Sequence, residues 1–141
     1  MKRFLSLFFL ILLALTLAAC GGQSAASSSV TTAVDVKNLP PLIDAQTANA
    51  LRTRSDVLML DVREKWEYAQ GHIPGITLLP MAEVPNRLSE IPHDKTVIVT
   101  CHSGNRSSQV VAYLRQQGFT NIHDMQGGIA AWEKAGLPVE Q

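Results

Sequence analysis

One cysteine in this chain sits where residue types and spacing could do chemistry. Cys101 ends the apolar, β-branched run Thr96-Val97-Ile98-Val99-Thr100 and opens the polar stretch His102-Ser103-Gly104-Asn105-Arg106-Ser107. After it, Val110, Val111 and Leu114 recur at helical spacing, so the order reads strand, tight loop, helix. A cysteine facing a helix N-terminus has a physical reason to ionise. A thiol with a pKa near 8.5 is about 3% thiolate at neutral pH, whereas one lowered to about 6 is about 90% thiolate. Unpaired N–H groups of the first helical turn favour an anion, and the Arg106 guanidinium is expected to close the other side of the ring. Gly104 permits positive φ where the loop curls, and Ser103, Asn105 and Ser107 can donate hydrogen bonds within it. Such a bowl of donors suits a nucleophile that must also hold a small anion or an anionic sulfur adduct. Alone, Cys101 would read as a small buried apolar residue and Arg106 as a surface ion-pair residue. Their conjunction with Gly104 between a strand and a helix favours chemistry.

The elements that must position this loop alternate along the chain. Leu42-Ile43 reads as a short strand, with Asp44 as N-cap of a helix through Arg52. Val57-Leu58-Met59-Leu60 is an uninterrupted apolar run of the kind buried on both faces of a sheet. Asp61-Val62-Arg63 ends it, and a short helix follows from Glu64 to Ala69. Gly71-His72-Ile73-Pro74-Gly75 is turn chemistry, Ile76 to Leu79 a third strand, and Pro85 to Ile91 a helix with Pro85 in its first turn. The helix after the cysteine loop stops at Gly118. Asn121-Ile122-His123-Asp124 is the last strand and Ile129 to Ala135 the last helix. Alternating strands and helices predict an α/β domain with a mainly parallel sheet.

Asp61 and Arg63 stand at a strand's carboxyl end, where sites form in α/β sheets. They are expected to form an ion pair supporting the adjacent loop. His72 is expected to be a hydrogen-bonded turn residue, and Trp66 and Trp132 packing residues. His93 and His123 share no ligand spacing with other candidates, so no metal and no cofactor is predicted.

The 141 residues give room for one domain with a hydrophobic core plus terminal extras. Met1-Lys2-Arg3 followed by the apolar stretch Phe4 to Ala19 has the layout of a signal peptide. Leu17-Ala18-Ala19-Cys20 resembles the lipobox of bacterial lipoproteins, which would make Cys20 a lipidated first residue. Residues 1–19 are thus expected to be the signal peptide, 20–38 a lipidated cysteine and Ser/Gly-rich tether, and 39–141 the folded domain. The resemblance places the protein on a membrane of the bacterial cell envelope, facing away from the cytoplasm, and Gly21 rather than aspartate leans towards the outer one. Without Lys2 and Arg3, ten basic residues face twelve acidic ones, a charge of −2 with no basic run, so nothing points to nucleic acid.

The cysteine loop, together with Leu60-Asp61-Val62-Arg63, Gly71-His72-Ile73-Pro74-Gly75 and Gly127-Gly128-Ile129-Ala130-Ala131-Trp132, resembles a single-domain rhodanese, a sulfurtransferase. The four motifs stand in family order from near Leu39 to Val139. The resemblance implies a five-stranded, mainly parallel sheet flanked by helices on both faces. It also implies a persulfide on Cys101, loaded from thiosulfate or another sulfane donor and unloaded by a thiophilic acceptor. The expected partners are small sulfur anions or persulfides and, for release, an external thiol, which a protein can supply; the chain is expected to be a monomer. Only four residues separate Cys101 from Arg106, where cysteine phosphatases and related arsenate reductases have five to enclose an oxyanion, so bound phosphate should fit poorly. A sulfur carrier or sensing module serving a dedicated protein is the alternative. The sequence departs from the family at His102, where arginine is common, which lowers the loop's positive field and is expected to favour less charged donors over thiosulfate. It departs again at Ile76, where a small residue is usual.

Overall fold

The structure is a computed structural model and describes residues 34–141. Residues 1–33, including the expected signal peptide, Cys20 and most of the expected tether, lie outside the described residues. The chain forms β1 (Leu42–Ile43), α1 (Ala45–Leu51), β2 (Val57–Asp61), α2 (Lys65–Gln70), β3 (Thr77–Leu78), β4 (Thr96–Thr100), α3 (Asn105–Gln116), β5 (Ile122–Met125) and α4 (Gly128–Lys134), with 3-10 turns between β3 and β4. The five strands make one sheet in the order β1-β5-β4-β2-β3, every pairing parallel.

Side-chain alternation along the central strand sorts the core into two layers. Val97, Val99 and Cys101 join Leu60, Ile122, Val110, Val111 and Leu114 on the face covered by α3. Ile98 joins Met59, Met125, Ala48, Leu51, Ile129 and Trp132 on the face covered by α1 and α4. Each central strand is thus buried on both sides, which is why β2 and β4 read as unbroken apolar runs. Local capping matches the sequence at α1, where Asp44 accepts from the Thr47 N–H at 2.7 Å.

Two segments differ from expectation. The stretch from Pro85 to Ile91 is not an α-helix but part of two 3-10 turns, Met81–Asn86 and Leu88–Glu90. Pro85, which has no N–H to donate, lies inside the first turn, and Arg87, between the two turns, pairs with Glu83 at 2.6 Å and Glu90 at 2.7 Å. Upstream, a one-turn 3-10 helix at Val36–Asn38, capped by Asp35, precedes the expected boundary at Leu39. Val34, Val36 and Leu39 pack against the second core layer.

The strand order fixes where a site can form. From β2 the chain steps outward to β3, then returns to β4 on β2's other side and continues to β5. The connections leaving the carboxyl ends of β2 and β4 therefore diverge, and the crevice between them receives the loops after both strands.

Candidate functional site

Cys101 follows directly on β4 and is 1% exposed. Gly104, at φ +97°, turns the loop into α3, and its N–H donates to the Cys101 Sγ at 3.1 Å. Burial pushes the thiol's pKa up; hydrogen bonds from the Ser107 N–H and hydroxyl and from the backbone of Ser103 and Gly104 outweigh it, so the net pKa lies below the ordinary thiol value. The expected nest of donors is present, but it is built chiefly from backbone. Ser107 is fully buried and its hydroxyl also donates to the Gly104 carbonyl at 3.2 Å. Asn105 turns outward, its Oδ1 accepting from Gln109 at 2.8 Å, and His102 is exposed on the rim.

Arg106 does not close the ring over the sulfur as expected. Both its terminal nitrogens donate to the Glu67 carboxylate at 2.6 Å. That fork-to-fork pair ties the cysteine loop to α2. Glu67 in turn accepts from the Glu64 N–H at 3.0 Å in a capping box that starts α2, so one carboxylate both caps its helix and holds the loop arginine. Nothing local in the sequence announces a partner 39 residues away; the spacing of Glu64 and Glu67 announces only the cap.

Asp61 and Arg63 form a buried ion pair, with Arg63 Nη2 2.7 Å from Asp61 Oδ2 and donating at 2.8 Å to the Gly71 carbonyl. The pair fastens the loop after β2 to the turn after α2. In that turn His72 stacks on Tyr68, its Nδ1 3.1 Å from the Tyr68 carbonyl, and its backbone pairs with Glu140 near the C-terminus. Trp132 is fully buried, with its indole N–H donating to Pro138 at 2.8 Å. Trp66 is different: it is 64% exposed and packs into no core. Together with Glu67, His102, Ile129 and Glu133 it lines a cleft of about 440 Å³ beside the cysteine loop.

The cleft's inner wall depends on Gly128. At φ +61° it brings the start of α4 onto the back of the cysteine loop, where the Ile129 and Ala130 N–H groups donate to the carbonyls of Cys101 (2.8 Å) and His102 (3.1 Å). A Cβ on Gly128 would overlap the Cys101 carbonyl oxygen and stand 2.6 Å from the His102 carbonyl carbon. Among the described residues there is no group of three histidine, cysteine or acidic side chains placed to hold a metal ion.

Comparison with known proteins agrees with this geometry. The rhodanese-like domain family matches residues 44–135. A sulfurtransferase of Allochromatium vinosum is 46% identical over 98 residues, 69% of this chain and 92% of that protein. The thiosulfate sulfurtransferase GlpE of Pseudoalteromonas translucida is 37% identical over 91 residues, 64% of this chain and 86% of that protein. Among solved structures, a rhodanese-related protein from Thermoplasma volcanium superimposes with a TM-score of 0.66 at 34% identity, covering 72% of this chain and 98% of that one.

Proposed function

Because this chain belongs to the rhodanese-like domain family, we propose that it is a sulfurtransferase that carries sulfane sulfur as a persulfide on Cys101. The observation that carries the reading is the Cys101 Sγ held in a nest of backbone N–H groups at the start of α3. In the first half-reaction the thiolate attacks the outer sulfur of a donor. The donor's S–S bond breaks, sulfite or a thiolate leaves with its electron pair, and Cys101 becomes a persulfide. The same N–H groups that favour the thiolate favour the persulfide anion. In the second half-reaction an acceptor thiolate or cyanide attacks the terminal sulfur and Cys101 leaves as thiolate. Cys101 is the one free cysteine among the described residues, so sulfur release goes to an external acceptor.

The cleft favours organic persulfides or polysulfides over thiosulfate. Its wall includes the exposed Trp66 indole, and its only arginine, Arg63, is matched by Asp61. The Arg106 charge beside it is matched by Glu67. A small dianion finds little uncompensated positive charge there, whereas the organic part of a persulfide donor finds apolar surface and room. At the other end of the chain, the proposed lipid on Cys20 holds the domain at an envelope membrane. The test of the central reading is sulfur loading: purified protein exposed to an organic persulfide, or to thiosulfate, gains one sulfur atom that is lost to cyanide, while Cys101→Ser gains none.

A further inference from the structure

The cleft beside the cysteine loop takes one wall from α2 and another from α4. Trp66 and Gln70, four residues apart on α2, share one side of that helix and both line the cleft. Glu133 lines it from α4. Its place relative to the nucleophile follows from one contact: the Ile129 N–H donates to the Cys101 carbonyl at 2.8 Å, and Glu133 lies one helical turn further on, about 6 Å along the axis. Helical side chains tilt towards their own N-terminus, so Glu133 enters the cleft from a Cβ that points back towards the cysteine loop.

Nearly all the charge lining the cleft is already matched. Arg63 gives its Nε and Nη2 to Asp61, Nη2 also to the Gly71 carbonyl and Nη1 to the backbone carbonyl of Glu67. Glu67 spends both carboxylate oxygens on Arg106 and one of them also on the Glu64 N–H. Glu133 is left over. It is exposed, and its carboxylate forms no ion pair or hydrogen bond among the described residues. The Trp66 indole in the same cleft is likewise exposed and open to a ligand. An unmatched carboxylate and an aromatic face in one cleft attract an organic cation, the first by its charge and the second by its ring quadrupole. Neither attracts an inorganic dianion.

We propose that the sulfur donor is an amine-bearing persulfide, its ammonium held by Glu133 and the Trp66 indole while its outer sulfur meets Cys101. This donor class presupposes the sulfurtransferase reading and makes Glu133 and Trp66 the residues that set specificity. In the persulfide of a two-carbon aminothiol, four bonds separate the outer sulfur from the nitrogen, a reach comparable with one helical turn. A hydroxyl in place of the amine keeps the length and loses the charge; a carboxylate reverses it.

The test compares persulfides of 2-aminoethanethiol, 2-mercaptoethanol and 3-mercaptopropionate as donors to the full chain. It is run at about pH 8, where an alkylammonium of ordinary pKa keeps its charge and an imidazole of ordinary pKa has none. Loading is followed by intact mass, and the half-saturating donor concentration is read, because the acidity of the leaving thiol alters the maximal rate. The ammonium donor should half-saturate at a concentration about fivefold below the hydroxyl donor, and the carboxylate donor above both. In Glu133→Lys the order should invert, which a general disturbance of the fold does not produce, and in Trp66→Ala the ammonium advantage should shrink. Equal half-saturation by the three donors in wild type, or an unaltered order in Glu133→Lys, would overturn the proposal. A second measurement needs no sulfur transfer. The S-methyl thioethers of the amine and of the alcohol are titrated against the Trp66 indole N–H resonance, one of two in the chain and identified by its loss in Trp66→Phe. The amine should shift that resonance at the lower concentration, and coincident titrations would refute a cation site. Should no donor load sulfur onto Cys101, the sulfurtransferase reading falls, and the thioether titration still decides whether the cleft selects cations.

Discussion

The Glu67 carboxylate accepts from both terminal nitrogens of Arg106, and this hydrogen bonding, opposed by partial burial, brings its pKa down to about 2. The folded-state pKa lies below the ordinary value of 4.5, so the unfolded chain binds more protons between the two. The pair's contribution to stability is therefore complete above about pH 4.5 and is lost as pH falls towards about 2. Because Arg106 is about a third exposed, solvent screening holds that contribution to about 1 kcal/mol. Urea unfolding of Glu67→Gln should show a loss of about that size at neutral pH and a shallower decline on acidification than wild type. Parallel acid limbs in the two proteins would show that the ion pair does not couple α2 to the cysteine loop. At this scale the sequence was uneven as a guide. Cys101 and Gly104 were legible because a cysteine between a β-branched run and a helical period has a local meaning. The Glu67–Arg106 pair was not, because it depends on which strands and helices the fold sets side by side.

At the scale of elements, the cysteine loop is held from three directions: by β4 before it, by α2 through Arg106, and by the first turn of α4 through Gly128. Gly128 is the most exacting of these contacts. Alanine there would be strained by about 1–2 kcal/mol in its left-handed conformation and would press into the loop carbonyls. Gly128→Ala should therefore displace the loop and slow sulfur loading by about 10- to 100-fold at saturating donor, more than its lowered urea midpoint accounts for. A loading rate matching wild type would mean that α4 does not position the nucleophile. The strands and the α-helices were readable in the sequence because each buries a continuous run or a helical stripe. The segment Pro85 to Ile91 was not, since seven residues that start on a proline and carry only two apolar side chains after it, Leu88 and Ile91, show no decisive period. Trp66 misled for a related reason: its helix is only six residues long and buries none of them, so an aromatic there had no core to enter.

Taken whole, the described chain is a sheet covered on both faces and closed at its ends. Trp132 and His72 hold the C-terminal segment, and Val34, Val36 and Leu39 extend the second core layer upstream of β1. The proposed anchor at Cys20 then lies 14 residues before the first described one. In a bacterial host, Cys20→Ala should move the protein from the membrane fraction into the soluble fraction; unchanged fractionation would remove the lipid from the account. The central claim, that the whole architecture serves a persulfide on one residue, is tested most directly by intact mass. After exposure to an organic persulfide the protein should gain the mass of a single sulfur atom, lose it on addition of cyanide, and gain nothing as Cys101→Ser. A folded wild-type protein that stays at its unmodified mass with organic persulfide, polysulfide and thiosulfate alike would contradict it.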